Sequence, residues 1–327
     1  MLAYDRESIP SLGILDRLWH SAFGTVLYDY TLKRRVPKKT GNFLITTFPG
    51  DAVSGYRFLA GSVIFDGKKY SLDSLLKGSS KIPLNVLNYF DSFGWLPDLC
   101  AVKDDKSKNL AVSLGVEEKR LIVINPGVDP AEEISKDDLK QAEEMLKGKK
   151  QRLITVSRFD KRKNHEKVIM AIRNLKEKYP DITYTCIGYG DEEENLKKLV
   201  IELKLDKYVV FLNDVSNELK NALIAKSNIF IMPSIIHKTS VEGFGISFIE
   251  AAQYGVPSIG GKDGGASDAI VHNKTGLICD GNSLDEIYSS IDILFESNKY
   301  IELAKECKVH SKNFLWDNII ENYKRIL

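Results

Sequence analysis

The sequence has few of the features that mark disulfide-linked, metal-binding or membrane-spanning proteins. Its 327 residues include four cysteines, which stand singly and form no Cys-x-x-Cys pair: Cys100, Cys186, Cys279 and Cys307. Cysteines scattered in this way are typical of reduced core residues, so we expect a cytoplasmic protein. No uncharged run reaches the roughly 18 apolar residues of a membrane-spanning helix. The charged N-terminus is unlike a signal peptide. We therefore expect a chain that binds at most to the inner face of a membrane.

The sequence also lacks an excess of positive or negative charge. Lysine and arginine number 46 against 45 acidic residues, and the net charge of +1 predicts no nucleic-acid partner. The densest basic cluster is LKRRVPKK at 32–39, which contains Lys33, Arg34, Arg35, Lys38 and Lys39. Near an anionic membrane each of these residues would contribute about 1 kcal/mol, so the cluster is a candidate for peripheral membrane contact. A solvated turn after a helix is the simpler interpretation.

What the sequence does contain is a regular alternation of short apolar runs with helical patterns. With 43% hydrophobic and 28% charged residues it has a globular composition, and its length suits two domains. In the segment that begins at His165, apolar residues recur at helical spacing: Val168, Ile169, Ile172 and Leu175. Continuous apolar strands covered by such helices predict an α/β fold with doubly wound parallel sheets. From residue 151 onward the candidate strands are 152–157, 182–188, 208–212, 228–234 and 256–261.

The first 126 residues repeat this alternation less clearly. They contain a candidate helix near 11–32 and candidate strands at 1–5, 42–48, 61–67, 97–102 and 120–127. The segment 127–150 is polar and charged, has no candidate strand, and forms a natural boundary. We therefore predict a reduced Rossmann-like domain at 1–126, a second Rossmann-like domain at 127–305 and a final helical segment at 306–327. Such folds bind ligands at the carboxyl ends of their parallel strands.

Two acids, Glu242 and Glu250, flank a glycine-aromatic-glycine turn in VEGFGISFIEAA. Gly243 and Gly245 let the backbone approach a ligand, and a helix beginning near Ile246 directs free N–H groups at the turn. Because Glu250 has apolar neighbours in sequence, we expect it to be buried, which costs several kcal/mol unless the carboxylate is paired. The vicinal hydroxyls of a ribose or hexose would satisfy it, and an internal arginine or lysine is the alternative. Because two acids flank one helix start, we favour ligand hydroxyls over an internal salt bridge as the partner of Glu250.

The loop VSRFDKRKNHEK at 156–167 joins a predicted strand to a predicted helix. Arg158 and Lys163 stand beside the helix start, and Asn164 is a candidate N-cap. A helix N-terminus attracts anions, and two cations fixed beside it suit a diphosphate. The alternative is a solvated basic turn, since Lys161 and Arg162 add charge without an evident purpose.

Two further loops follow predicted strands at the same edge of the sheet. CIGYGDEEENL places Gly188 and Gly190 between a strand and a helix. A nucleotide base can approach the backbone there, although such a pair more often only forms a tight turn. Asp214 and Val215 follow the next strand and border the same predicted pocket.

Taken together, these motifs resemble those of the retaining glycosyltransferases of family 4, which have the two-domain GT-B fold. Glu242 and Glu250 match that family's glutamate pair, and Arg158 and Lys163 match its basic pair. The stretch 255–278 matches the strand, glycine turn and TGxL segment that follow in the family. NPGVD at 125–129 matches its interdomain link, and FLWDNIIENYKRIL matches its final helix, which crosses back to the first domain. The wording is most similar to the phosphatidylinositol-mannosyltransferase-like branch, and the likeness runs from residue 97 to the end.

The resemblance implies a hexosyltransferase that uses a UDP- or GDP-sugar and an acceptor that the sequence does not identify: a glycan, a lipid-linked compound or a small molecule. It implies that Glu250 binds the ribose, that Glu242 binds the transferred sugar, and that Arg158 and Lys163 hold the diphosphate. Glu242, Arg158 and Lys163 are then the catalytic residues. The other donor-binding candidates are Gly243, Phe244, Gly245, Ile246, Gly188, Asp214, Val215 and, in the first domain, Gly13.

The family uses neither a metal nor a cofactor, so none is expected here. Cations stabilise the charge that develops on the departing diphosphate. The family retains the anomeric configuration by front-face attack, in which the phosphate of the donor deprotonates the acceptor.

Two other functions stay open because the first domain is short. One is a protein that binds sugar nucleotides without transferring the sugar. The other is a sugar-nucleotide epimerase of similar fold, although the acid/base histidines and carboxylates expected of an epimerase are not recognisable.

Overall fold

The computed structural model describes residues 118–237 and 240–324, together with residues 44–46, 62–65, 68–71, 99–102, 105, 108, 109 and 112. The chain divides into two compact units, Met1–Asn125 with Ile319–Leu327, and Pro126–Asn318. Gly13, the candidate helix at 11–32 and the basic cluster at 32–39 lie outside the described residues, and those interpretations stay predictions. None of the helices in the described part combines the length and apolar character needed to cross a membrane.

The first unit contains a small parallel sheet. It is formed by β1 (Leu44–Thr46), β4 (Leu99–Val102) and β5 (Leu121–Val123), in the order β1-β4-β5. These strands lie within three of the predicted apolar runs. The predicted run at 61–67 contains β2 (Ser62–Phe65), but β2 pairs antiparallel with β3 (Lys68–Ser71) and not with that sheet. Asp-Gly stands between the two strands in the sequence, which is a hairpin signal that the apolar pattern alone did not use.

The second unit is built on a six-stranded sheet in which every pair of neighbours is parallel. The strand order is β11-β10-β9-β6-β7-β8. The strands are β6 (Arg152–Val156), β7 (Thr183–Ile187), β8 (Val209–Leu212), β9 (Ile229–Met232), β10 (Ser258–Gly261) and β11 (Gly276–Cys279). The first five confirm the predicted strands. The short Gly276–Cys279 run was not recognised as a strand.

Helices cover both faces of this sheet, as the apolar strands predict. They are α1 (Lys136–Met145), α2 (His165–Leu175), α3 (Glu193–Glu202), α4 (Asn217–Ala225), α5 (Ile246–Gln253), α6 (Ala266–Ala269), α7 (Leu284–Glu296) and α8 (Lys299–Ser311). The last helix, α9 (Trp316–Lys324), begins in the second unit and ends among residues of the first. Alternate residues of a strand point to opposite faces. In β9, Ile229 and Ile231 therefore join one hydrophobic core, and Phe230 and Met232 join the other. The four apolar residues predicted on α2 are fully buried in the first core.

The strand order places the start of the unit in the middle of its sheet. From β6 the chain builds outward through β7 and β8, and it then returns to add β9, β10 and β11 on the other side. The loops after β6 and β9 therefore leave neighbouring strands in opposite directions. Open α/β sheets bind their ligands in the crevice that forms at this switch point.

The C-terminal range predicted as one helical segment, 306–327, is divided in the structure. Helix α8 ends at Ser311, and the backbone at Leu315 is extended before α9 begins. The extended residue forms a bridge to Val128: the Val128 N–H donates to Phe314 O (2.8 Å), and the Trp316 N–H donates to Val128 O (3.2 Å). The Trp316 ring occupies the space where a Cβ on Gly127 would lie, 2.4 Å away. The NPGVD segment therefore needs its glycine for packing.

Candidate functional site

Two loops meet at the switch point of the six-stranded sheet. The basic loop (Ser157–Asn164) follows β6, and the acidic loop (Pro233–Gly245, of which the structure describes 233–237 and 240–245) follows β9. The Ile235 N–H donates to Arg162 O (2.9 Å), and Asn164 Nδ2 donates to Pro233 O (2.9 Å). These bonds fix the two loops against each other.

Glu242 lies at the centre of this contact. Its side chain is only 10% exposed, and its Oε2 accepts hydrogen bonds from Arg162 Nη1 (2.6 Å) and Lys163 Nζ. Ser234 Oγ lies at a longer 3.4 Å from the same oxygen. The structure therefore joins the predicted acid to one of the two predicted cations, across the two loops.

The electrostatics of this cluster favour a charged carboxylate. Burial opposes the ionisation of Glu242 most strongly, but the positive charges of Lys163 and Arg162 outweigh it, so the pKa of Glu242 is below its ordinary value. Burial lowers the pKa of Lys163, and the charge of Glu242 opposes that effect. Glu242, Lys163 and Arg162 thus form a nearly buried ion cluster, and Asp160 borders it with its Oδ2 3.6 Å from Arg162 Nη2.

Arg158 and Arg162 lie in different environments. Arg158 is 73% exposed, and its Nη2 lies 3.7 Å from Asp160 Oδ2, so it does not join the Glu242 cluster. Arg162, which had no assigned purpose, is 12% exposed and holds Glu242. The sequence offered no signal for this choice, because Lys161–Lys163 are three consecutive cations in a 3-10 turn, of which Arg162 and Lys163 contact Glu242 and Lys161 is exposed.

Asn164 does not cap α2 as predicted. Its backbone is left-handed (φ 64°), and its side chain makes no cap hydrogen bond. The buried amide instead donates to two backbone carbonyls, Pro233 O (2.9 Å) and Gly281 O (2.7 Å). Asp160 provides the cap that exists, since its Oδ1 accepts from the Lys163 N–H (3.1 Å) at the preceding 3-10 turn. The left-handed backbone of Asn164 is unfavourable, and the two hydrogen bonds that link its loop to those of Pro233 and Gly281 offset this cost.

A chain of buried hydrogen bonds lies beneath the basic loop. His165 Nδ1 lies 2.8 Å from the Tyr184 hydroxyl, which lies 2.8 Å from Thr155 Oγ1, and Thr155 donates to Ile231 O. Because the Thr155 proton is used on a carbonyl, the direction follows back along the chain, and Nδ1 of His165 is the protonated nitrogen. Its Nε2 is then the acceptor nitrogen and lies 3.0 Å from Ser157 Oγ, a hydroxyl that also lies 3.2 Å from Arg158 O. Burial, reinforced by the charge of Lys163, lowers the pKa of His165 to about 3, so the ring is neutral.

The predicted glycine turns serve close backbone packing. A Cβ on Gly265 would lie 1.6 Å from Gly243 O, and one on Gly264 would lie 2.6 Å from Glu242 Cβ. The Gly265 N–H also donates to Glu242 O (2.9 Å). The GGKDGGASD stretch that follows the acids in sequence therefore supports the backbone that carries Glu242.

Helix α5 begins at Ile246, after Gly245 in a left-handed conformation (φ 82°). Phe244 turns into the core against Phe314, with ring centroids 5.3 Å apart, so its backbone is the part that could contact a ligand. Ile246 is exposed at the start of the helix. The prediction of a helix start beside the turn is confirmed.

Glu250 differs from its predicted environment. The apolar residues around it, Phe248, Ile249, Ala251 and Ala252, are buried, but Glu250 itself is half-buried. The expectation of full burial is wrong because one position in each turn of an amphipathic helix faces outward. Among the described residues no side chain makes an ion pair or a hydrogen bond with its carboxylate. Within the described part of the chain, the alternative that Glu250 forms an internal salt bridge is therefore not supported.

The remaining predicted residues follow β7 and β8 at the same edge of the sheet. A Cβ on Gly188 (φ 142°) would lie 2.0 Å from Ser157 O, and one on Gly190 would lie 2.4 Å from Phe159 O. These glycines let the loop after β7 pack on the basic loop. Asp214 is exposed in a left-handed conformation (φ 54°), and Val215 is half-buried against the second core. Their contact with a donor stays a prediction.

The chain is similar to known glycosyltransferases. The family model described as glycosyl transferases group 1 matches residues 136–314, just over half of the chain. A GDP-mannose-dependent alpha-(1-6)-phosphatidylinositol monomannoside mannosyltransferase of Mycobacterium tuberculosis is 29% identical over 160 residues, which cover 48% of this chain and 42% of that protein. An uncharacterized glycosyltransferase of Methanocaldococcus jannaschii is 29% identical over 280 residues, covering 79% and 68%. The chain thus spans less than half the length of the mycobacterial relative that it matches.

Solved structures share the fold. A glycosyltransferase from Rickettsia africae superposes with a TM-score of 0.67 at 18% identity, covering 97% of this chain and 82% of that one. Anabaena HepE in complex with UDP has a TM-score of 0.65 at 20% identity, covering 76% and 68%. The GT-B class of α/β fold predicted from the sequence is confirmed. The family match includes Lys163, Glu242 and Glu250, and the chain belongs to the glycosyl transferases group 1 family.

Proposed function

We propose that this chain is a retaining, metal-independent glycosyltransferase that transfers a hexose from a nucleoside diphosphate sugar. The observation that carries the proposal is the Glu242–Lys163 contact between the loops after β6 and β9. It combines a sugar-binding acid and a phosphate-binding cation at the switch point, inside the range that matches the family.

The donor's diphosphate is assigned to the basic loop. Lys163 is a buried cation, and Arg158 is an exposed one whose described partner, Asp160, lies 3.7 Å away. Both charges, with the N–H groups at the start of α5, favour a diphosphate that leaves as an anion. In the transfer step the bond between the anomeric carbon and the phosphate oxygen breaks, and the acceptor oxygen bonds to that carbon. The acceptor proton passes to the departing phosphate.

The two acids are assigned to hydroxyl groups. Glu242 binds the transferred sugar, because Oε2 takes the hydrogen bonds from the protein and Oε1 is left for a ligand. Glu250 binds the ribose, because its half-exposed carboxylate has no partner among the described side chains. Vicinal hydroxyls provide the two donors that a carboxylate accepts.

The relatives suggest which donors to test first. The mycobacterial relative is named as GDP-mannose-dependent, and the HepE structures hold UDP, UDP with glucose, and UDP-glucose. We therefore propose GDP-mannose and UDP-glucose as the first probes. The acceptor is of unspecified class.

Transferase activity is tested by incubating the full chain with UDP-, GDP- and ADP-sugars in EDTA and following nucleotide release and the anomeric configuration of the product. Release with retained configuration is expected. Binding without turnover would favour a sugar-nucleotide-binding protein. Exchange at C2 without release would favour an epimerase, and turnover that EDTA abolishes would contradict metal independence.

The site assignment is tested by Glu250→Ala, with Glu306→Ala on α8 as a matched exposed control. Loss of a charge-assisted contact should weaken donor binding by roughly 1.5–3 kcal/mol for Glu250→Ala. The control should leave donor affinity unchanged. Calorimetry with the donor that turns over measures both, and equal affinities for the two variants would remove Glu250 from the site.

A further inference from the structure

The lysine assigned to the diphosphate is already engaged by the protein's own acid. Lys163 Nζ donates to Glu242 Oε2, and both side chains are nearly buried. A diphosphate that takes Lys163 must therefore compete with Glu242 for the same ammonium group. The competition is strong because charges interact more strongly away from water.

Arg162 determines what happens to Glu242 when Lys163 leaves. Its Nη1 donates to the same oxygen at 2.6 Å, while Ser234 Oγ lies at 3.4 Å. Without Arg162, the departure of Lys163 would leave a buried carboxylate with one weak hydrogen bond, which is strongly unfavourable. With Arg162, the carboxylate keeps a charge-assisted partner of good geometry.

The structure also holds Arg162 where it is. Its carbonyl accepts from the Ile235 N–H (2.9 Å) of the acidic loop, and its Nη2 lies 3.6 Å from Asp160 Oδ2. Arg158, by contrast, is mostly exposed. The geometry therefore divides the cations into one that stays with Glu242 and others that are able to turn toward an anion.

We infer that Arg162 is a positioning residue that keeps Glu242 charged and in place while Lys163 exchanges Glu242 for the diphosphate of the ligand. This inference rests on the proposed function, since it assumes that the diphosphate lies at Lys163. It adds a role for a residue that makes no contact with the donor itself. Glu242 thereby has two successive roles, as the partner of Lys163 and as an acceptor for sugar hydroxyls.

The test uses inorganic pyrophosphate as the probe, because pyrophosphate reports on the diphosphate position without a base or a sugar. Binding is measured by calorimetry on the full chain in EDTA at physiological salt. The variants are Glu242→Gln, Arg162→Gln, the double variant and Lys163→Gln, with Arg162→Lys as a charge-retaining control. Thermal melting confirms that each variant folds.

The expected pattern is a rescue. Removing the competing charge with Glu242→Gln should tighten pyrophosphate binding by about tenfold, given a charge separation of several ångströms and partial screening. Arg162→Gln should weaken binding by about tenfold in the wild-type background, because Glu242 then holds Lys163 more strongly. In the Glu242→Gln background the same substitution should change affinity by no more than about threefold. Lys163→Gln should abolish binding, and Arg162→Lys should stay near the wild type.

Three results would overturn the inference. The first is equal pyrophosphate affinity of Glu242→Gln and the wild type, which would mean that Glu242 does not compete. The second is an Arg162→Gln loss that persists in the Glu242→Gln background, which would make Arg162 a direct phosphate ligand. The third is the absence of pyrophosphate binding to the wild type, Glu242→Gln and Arg162→Lys alike.

Failure of the proposed function has a different signature. A parallel titration with GDP and UDP shows whether the nucleoside adds affinity to pyrophosphate. If pyrophosphate gives the rescue pattern but neither nucleotide binds more tightly than pyrophosphate, the ion exchange is supported and the nucleotide-sugar assignment fails.

Discussion

The two acids at positions 242 and 250 look alike in the sequence and differ in the structure. Glu242 is buried, receives hydrogen bonds from two cations and lies on a loop supported by glycines. Glu250 is half-exposed on α5 and has no side-chain partner among the described residues. The first carboxylate is tied into the fold as well as into the candidate site, whereas the second has no such tie and under the proposed function serves only a ligand. Two acids of the same motif therefore need not have the same physical role.

Removing each acid in turn tests the contrast between them most directly. Glu242→Ala leaves two nearly buried cations without their partner, and we expect it to lower the free energy of unfolding by about 3–5 kcal/mol. Glu250→Ala should change it by less than about 0.5 kcal/mol. Urea denaturation of both variants measures the difference. Similar losses would show that the contrast between the two acids is not energetic, and Glu242→Gln, which keeps an acceptor oxygen, should fall between them.

The support under Glu242 is tested by adding one carbon atom to its loop. In Gly265→Ala the new Cβ would meet Gly243 O at 1.6 Å, which forces the backbone to shift and should cost roughly 3 kcal/mol. Gly148→Ala is the matched control, since nothing lies within 4 Å of its Cβ and only its positive φ (77°) is strained. The control should cost about 1–2 kcal/mol. If thermal melting ranks the two variants in the reverse order, the loop is not packed as described.

A smaller expected effect is a pH dependence of stability caused by His165, which lies near Lys163 beneath the basic loop. Burial lowers the pKa of His165 to about 3, below its ordinary 6.5, so between these values the unfolded chain binds a proton that the folded chain does not. Stability should therefore fall as the pH drops below 6.5, by at most about 1.4 kcal/mol per pH unit from this residue.

His165→Asn should flatten this pH dependence between pH 6.5 and about 5, above the range in which most carboxylates titrate. Denaturation at several pH values gives the slopes, and equal slopes for wild type and His165→Asn would contradict the neutral, buried ring.

The fold was largely predictable because it depends on local patterns. The spacing of Val168, Ile169, Ile172 and Leu175 defined α2, and the continuous apolar runs defined five of the six strands in the second unit. The Gly276–Cys279 strand was missed because four residues that begin with glycine carry too little of a pattern.

The types of residue at the candidate site were predictable, but which cations contact which acid was not. Spacing predicted a site that contains Lys163 and Glu242, which the structure places in contact, but it could not show which two cations of Lys161–Lys163 turn inward. That choice depends on Glu242, about 80 residues away along the chain. The role of Asn164 is non-local for the same reason, since its carbonyl partners lie 69 and 117 residues further along.

The Asn164 amide has a consequence for engineering this protein. One buried side chain ties the loop after β6 to Pro233 after β9 and to Gly281 after β11, and a Cβ on Gly281 would lie 2.3 Å from Pro233 O. These three segments are therefore a single mechanical unit. A graft that replaces one of them would need to transplant all three together, with the asparagine and the glycine that join them.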